Sequence, residues 1–509
     1  MVFSSIPFLF YFLPITLLVY YLVKRKLRNF VLFVFSLLFY AWGEPVYALL
    51  MLFSIVVNYC FGLVLNKSLQ RDKKKQLKSI ENAQFSSEAK ANEMLFPLEN
   101  KRYRSATSKI ILALCCLFNL GILFYFKYFS FIVDSIVDLT GANLPIYDIA
   151  LPIGISFYTF QIMSYVIDLY REDATVEKNI LNLGTYITMF PQLIAGPIVR
   201  FKTIAEQLRS RKESVSLFRI GVRKFVIGLA KKVLLANQAG EIWALAQNYS
   251  NGDMPTLMAW LAVIGYTLQI YFDFSGYSDM ALGLGMMFGM KFEINFNYPY
   301  IASSITDFWR RWHISLSTWF KEYLYIPLGG NRKGKICQIR NILLVWLATG
   351  IWHGAGWNFL LWGLYFAILL LIEKFFLAQI YSKLPKVIPH FITMLLVVLG
   401  FALFAETDFY RLAEMFKSLF AINGAGIVDQ ATVYYWLEYI FLLAVMIIGA
   451  TPLPRNLWYI AEENVKLSGS VGLRLFWELV QVAIGLLIVV LVIACLVRNS
   501  FNPFLYFRF

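Results

Sequence analysis

Histidine is scarce in this chain of 509 residues, where only His313, His353 and His390 occur. Two of them stand in its densest clusters of polar and aromatic residues. His313 lies in Trp309-Arg-Arg-Trp-His-Ile-Ser-Leu-Ser317, and His353 in Thr349-Gly-Ile-Trp-His-Gly-Ala-Gly-Trp-Asn358. Neutral imidazole takes a proton from a hydroxyl at pH 7, a contribution of typically about 10²–10⁴-fold. The oxyanion then formed on an acyl group needs donors, which indole, amide and guanidinium N–H groups supply. Two histidines permit a division of labour, one as base and one as orienter or oxyanion donor. The chemistry these residues suit is acyl transfer to a hydroxyl. No Gly-x-Ser-x-Gly elbow is present for an acyl-serine intermediate. His390, in Pro389-His-Phe391 with no polar company, reads as structural.

The first cluster has its own start and stop signals. Ser304 and Asp307 carry the spacing of a capping box, so a helix begins there. Trp309, His313 and Ser317 then recur every four residues and share one face. Asp307 and Arg311 are also four apart and can pair. Pro327 and Gly329-Gly330 end the helix and turn the chain. In the second cluster, Gly350, Gly354 and Gly356 leave room for a ligand beside the imidazole. The candidate substrate-binding or oxyanion groups are Trp309, Arg310, Arg311, Ser317, Asn331, Arg332, Trp352 and Asn358. Gln269 and Asp273 join them from an apolar run, where a polar group either faces a lumen or bonds a neighbouring helix. Arg310, Arg311 and Arg332 suit donor phosphates, with headgroup anchoring as the plainer reading.

These residues must be positioned by membrane helices. The chain is 59% hydrophobic and 15% charged, against about 25% charged in soluble domains. Runs near 6–23, 30–43, 45–65, 109–133, 150–170, 181–198, 257–289, 341–353, 356–377, 387–405, 432–450 and 476–497 read as about 11 or 12 spans of an all-α polytopic bundle. Pro191, Gly196 and Pro197 mark 181–198 as broken or re-entrant. Residues 215–236 read as a cytoplasmic interfacial helix, with Phe218, Val222, Phe225, Val226, Leu229 and Val233 on its apolar face. Arg219, Arg223, Lys224, Lys231 and Lys232 lie off that face.

Charge sets the expected topology. Residues 1–23 lack a basic leader, and Lys24, Arg25, Lys26 and Arg28 follow, which retains the span with its C-terminal end in the cytoplasm. The basic 66–108 stretch, with Lys73, Lys74 and Lys75, then also falls inside as a mobile insert. Its Ser86–Glu93 portion leans towards disorder. The 134–149 connection, with Asp134, Asp138 and Asp148, falls outside. A net charge of +15 placed in loops fits anionic headgroups rather than nucleic acid. A cationic inner face also suits an anionic donor such as coenzyme A. Cys60, Cys115, Cys116, Cys337 and Cys495 form no C-x-x-C pair, so neither a zinc site nor a disulfide framework is indicated.

The run Trp309–Ser317, with Tyr323-Leu-Tyr-Ile-Pro-Leu-Gly-Gly-Asn331 after it, resembles the signature of bacterial membrane-bound O-acyltransferases (MBOAT), nearest the alginate O-acetyltransferase subfamily. So do Leu151-Pro-Ile-Gly-Ile-Ser-Phe-Tyr-Thr-Phe-Gln161, Phe190-Pro-Gln-Leu-Ile-Ala-Gly-Pro197, Gly350-Ile-Trp-His-Gly354 and Phe501-Asn-Pro-Phe-Leu-Tyr-Phe-Arg-Phe509. The resemblance implies one membrane domain over 1–509, with a central funnel or tunnel and a catalytic core in 304–358. It maps the family's paired active-site positions onto His313 and His353, with His353 as base and His313 as partner, or the reverse. Many eukaryotic relatives carry Asn at the first position. The resemblance further implies no permanently bound cofactor, acetyl-CoA or another acyl thioester as donor, and an SGNH-type acetyltransferase with polysaccharide export or synthesis proteins as partners. The exported polysaccharide is the expected acceptor; peptidoglycan O-acetylation and teichoic-acid D-alanylation are its chemical neighbours.

Two readings from other classes share some of these residues. A transporter would use the same intramembrane polar strip. A bis-histidine haem protein would use the same imidazoles, and its absorbance spectrum would reveal it.

Overall fold

The computed structural model describes residues 1–84, 103–145, 149–194, 196–250 and 252–498. Among these the chain is helical and carries no strand, as the all-α reading expects. Among the described residues, seven helices are long and apolar enough to cross a membrane: Pro45–Ile80, Ala106–Lys127, Thr256–Met287, Trp357–Tyr381, Val387–Ala405, Gln430–Gly449 and Val471–Arg498. The protein is therefore a multi-pass membrane protein. The other apolar runs form shorter pieces, such as Arg28–Ala41 and Ile155–Arg171. The run at 181–198 is broken as expected, into Ile180–Thr188 and Phe190–Leu193, with Pro191 opening the second piece.

Where the resemblance implies one membrane domain, the chain forms two compact units. The first comprises Met1, Ile15–Ile194 and Ile198–Lys212. In it the first part of the basic stretch, residues 66–84, has a Lys- and Gln-rich sequence of high helix propensity and prolongs the third span as one helix, Pro45–Gln84. Asp72 on that helix accepts bonds from Ser105 N (3.1 Å) and Ser108 Oγ (2.6 Å). This ties the far side of the stretch back to it. Ser86–Glu93, Asp148 and Phe501–Phe509 lie outside the described residues. Two of the resemblance motifs meet in this unit. Gly154 has φ +75° and no room for a Cβ, which would stand 2.7 Å from the Leu193 carbonyl oxygen.

The second unit comprises Val2–Pro14, Ala195–Pro197 and Glu213–Phe509, and contains all three histidines. Its axis is the central helix Thr256–Met287, buried along most of its length. Val215–Ala230 crosses it antiparallel. A methyl on Gly228 would sit 2.5 Å from the Gly276 carbonyl oxygen, and one on Gly221 2.6 Å from that of Gly283. Glycines one heptad apart on each helix thus bring the two backbones together, as small residues do in membrane bundles.

The predicted interfacial helix therefore packs intimately in the bundle and continues through Lys231–Ala236, a π-helical turn, to Asn237–Ala246. Three of its basic residues also depart from the headgroup-facing role. Lys232 pairs with Asp273 at 2.7 Å, both nearly fully buried, and Lys231 and Lys224 pair with Asp279 at 2.7 and 3.0 Å. The sequence pattern puts Phe225, Leu229 and Val233 inside as expected, but Val222 is exposed and Lys232 is buried. The pattern does not reveal the acids on the neighbouring helix that Lys224, Lys231 and Lys232 meet.

Candidate active site

The helix predicted at Ser304 begins there: Ser304 Oγ accepts from Asp307 N at 3.0 Å. Glu373, from the spanning segment Trp357–Tyr381, adds a second cap. Its carboxylate accepts Ile305 N (2.5 Å) and Thr306 N (3.0 Å), placing a negative charge at the positive end of the helix dipole. Arg311 Nε donates to Asp307 Oδ1 at 2.9 Å, the i,i+4 pair expected. Gly329 and Gly330, at φ +103° and +55°, make the expected turn.

The shared helical face of Trp309, His313 and Ser317 does not form. The helix stops at Arg311, and a second one, Ile314–Phe320, starts after His313. The cause is the extended segment 295–297. Asn297 N donates to Arg311 O, and Ile314 N donates to Asn295 O, each at 2.9 Å. Ser315 N, the i+4 partner of Arg311 O in an unbroken helix, goes instead to Asn295 Oδ1 at 3.1 Å. His313 sits at the break with φ +44°, a left-handed conformation that costs about 1–3 kcal/mol and concentrates at functional sites.

His313 is 1% exposed. Its Nδ1 lies 3.2 Å from Asn295 Oδ1, which also accepts Ser315 Oγ at 2.9 Å. Its Nε2 is buried with no hydrogen-bond partner. Burial pushes the imidazole down to about 3, because the charged form loses its hydration. The ring packs edge-on against Phe274 of the central helix at 4.6 Å between centroids, and against Trp352 at 5.9 Å.

His353, 5% exposed, is the last residue of helix Lys335–His353. Its ring centroid is 5.0 Å from that of Trp352, 4.9 Å from Trp362 and 5.3 Å from Phe404. One indole, that of Trp352, thus touches both imidazoles. Trp309 packs at 5.5 Å from Trp362 and 4.6 Å from Trp346. The indole nitrogens of Trp309 and Trp362 are buried without acceptors. Two N–H donors therefore stand open within this aromatic wall.

The glycines around His353 leave no room for a ligand, contrary to the sequence reading. Gly350 abuts the Phe359 carbonyl, Gly354 the Phe359 ring, and Gly356 the Asn358 amide oxygen. They are small so that Trp357–Ile372 can fold back tightly on the histidine helix. Asn358 is buried, donating to Phe404 O at 3.4 Å, while its Oδ1 has no partner.

The remaining candidates divide. Arg310, Ser317, Asn331 and Arg332 are exposed, and Arg311 is held by Asp307. Asp273 pairs with Lys232 of the neighbouring segment, and Gln269 lies against Gly240 with its Oε1 buried and without a partner. His390 Nδ1 donates to Ala302 O at 2.9 Å, a structural contact. Sequence reasoning missed Asn295, Glu373 and Trp362. Only the cost of Glu373 within an apolar span could have flagged one of them.

A profile of the MBOAT, membrane-bound O-acyltransferase family, matches residues 172–407, which include both histidines and their wall. The probable alginate O-acetylase AlgI of Pseudomonas putida is 38% identical over the full length of both chains. The chain belongs to the membrane-bound O-acyltransferase family. It is thus an O-acyltransferase. Other MBOAT relatives differ in the chemistry their names carry. The peptidoglycan O-acetyltransferase of Helicobacter pylori is 30% identical, over 84% of this chain and 81% of its own. The teichoic acid D-alanyltransferase of Bacillus subtilis is 29% identical, over 51% of this chain and 70% of its own.

Proposed function

We propose that the chain is an O-acetyltransferase of the cell membrane. It draws acetyl groups from cytoplasmic acetyl-CoA and passes them towards hydroxyls of an exported polysaccharide. An SGNH-type acetyltransferase outside the membrane receives them, in company with polysaccharide export or synthesis proteins. The N-terminus lies outside and the basic residues following 66 lie inside. The observation that carries this reading is the pair of buried imidazoles joined through Trp352, in a chain similar over its full length to an alginate O-acetylase.

In this reading the acceptor hydroxyl oxygen bonds to the thioester carbonyl carbon as His353 takes the hydroxyl proton. The indole N–H groups of Trp309 and Trp362 donate to the oxyanion. Collapse breaks the carbon–sulfur bond, and the departing thiolate takes the proton back from His353. The products are an acetyl ester and a free thiol.

His313 is a poor base. A base works best with a pKa near the working pH, and burial leaves this imidazole several units below it. It suits the orienting role, with Nε2 accepting a hydrogen bond from a substrate donor other than the hydroxyl that reacts. An amide in the corresponding position of other MBOAT branches, which cannot act as a base, agrees with that division.

The test supplies acetyl-labelled acetyl-CoA to the cytoplasmic face of sealed inside-out vesicles containing the chain. Label should appear as alkali-labile ester on lumenal polysaccharide or on the SGNH-type partner. No labelled ester with acetyl-CoA, but ester formation from a carrier-protein thioester, would replace this reading with D-alanylation-type chemistry.

A further inference from the structure

We infer that Asn295 is a positioning residue that fixes which nitrogen of His313 carries the proton. The inference rests on the reading of His313 as part of the reaction centre, and deepens it.

The argument starts from a backbone N–H, which can only donate. Ser315 N lies 3.1 Å from the Asn295 side-chain oxygen, so that atom is the amide oxygen and not its nitrogen. The Ser315 hydroxyl donates to the same oxygen at 2.9 Å. An oxygen that only accepts faces His313 Nδ1 at 3.2 Å, so Nδ1 carries the hydrogen. In a neutral imidazole the other nitrogen then bears the lone pair. That nitrogen, Nε2, is the buried atom with no protein partner. It is left as a hydrogen-bond acceptor for a donor that enters the site.

The backbone is built around the same amide. The carbonyl of Asn295 takes Ile314 N at 2.9 Å, so main chain and side chain of one residue hold His313 and the start of the helix that follows it. Asn295 is 1% exposed, and water does not compete for these bonds. Orienting partners of this kind set tautomer and ring angle; for histidines that bind metals, the loss of such a partner typically costs about 10–100-fold, and a similar loss is expected here.

The test uses the full chain in lipid nanodiscs with ¹⁵N-labelled histidine. Three histidines give few enough ring signals to assign with single substitutions. The wild-type His313 ring should show a protonated Nδ1 and an unprotonated Nε2. Asn295→Ala should shift it towards the Nε2–H tautomer, with kcat reduced about 10–100-fold and thioester KM little changed. Asn295→Asp keeps the acceptor, so Nδ1–H should persist. The added negative charge should raise the pH at which the ring takes a second proton by about one unit or more.

A wild-type ring protonated at Nε2 would overturn the inference. So would an unchanged tautomer in folded Asn295→Ala, or an unmoved titration in Asn295→Asp. The spectra do not depend on turnover. Full transfer activity in His313→Ala would instead sink the functional reading while leaving the tautomer result standing.

Discussion

The ring of His313 stands edge-on to the indole of Trp352, with centroids 5.9 Å apart and planes at 66°. Trp352 is also the chain neighbour of His353 and packs on its ring. One indole therefore fixes the separation of two imidazoles that come from different helices, 40 residues apart in sequence. Trp352→Phe should retain edge-on contacts and keep transfer within about tenfold of wild type. Trp352→Ala should lower unfolding stability by about 3–5 kcal/mol and reduce kcat further. Thermal unfolding in detergent, run beside the transfer assay, checks both.

The buried His313 gives a pH signature. Its folded-state value is near 3, below the ordinary value of about 6.5 for an unfolded chain. Between these limits the unfolded state binds the extra proton and the folded state does not. Its contribution is therefore fully present above pH 6.5 and is lost as pH falls towards 3. The slope approaches about 1.4 kcal/mol per pH unit. His313→Gln should flatten this acid dependence in urea titrations from pH 7 to pH 4. An identical slope in the variant would refute the assignment.

The Lys232–Asp273 pair lies within the glycine-packed crossing of two helices. Removing one partner from a buried pair leaves a bare charge and costs about 3–5 kcal/mol. Asp273→Asn and Lys232→Met should each show that loss. The double variant Lys232→Met with Asp273→Leu should recover most of it, as read by unfolding midpoints.

Glu373→Ala removes the carboxylate from the start of helix Ile305–Arg311. The expected cost is about 0.5–2 kcal/mol, the range for an N-terminal cap. A fall in kcat with little change in thioester KM should accompany it, since the cap seats the helix that ends two residues before His313. Glu373→Gln, which keeps one acceptor, should fall between the two.

Local relationships were legible in the sequence and tertiary ones were not. The Ser304 cap and the Asp307–Arg311 pair depend on spacings of three and four residues within one helix, and both are present. Trp309, His313 and Ser317 have the same spacing yet share no helix face. The 295–297 segment takes the backbone bonds a continuous helix would need, and no periodicity reports a segment arriving from elsewhere. Gly350 and Gly354 read as space for a ligand, but glycine serves close helix contact equally well, and Phe359 fills the space. Asn295 has no motif of its own. Its function lies entirely in what the fold brings to its amide oxygen.

The central claim is that the two imidazoles perform the transfer. The most direct measurement is single-turnover cleavage of acetyl-CoA by the purified chain with a hydroxyl acceptor, comparing wild type with folded His353→Ala and His313→Ala. We predict a loss of at least about 10²-fold in His353→Ala, with a smaller but clear loss in His313→Ala. Wild-type rates in both variants would contradict the account.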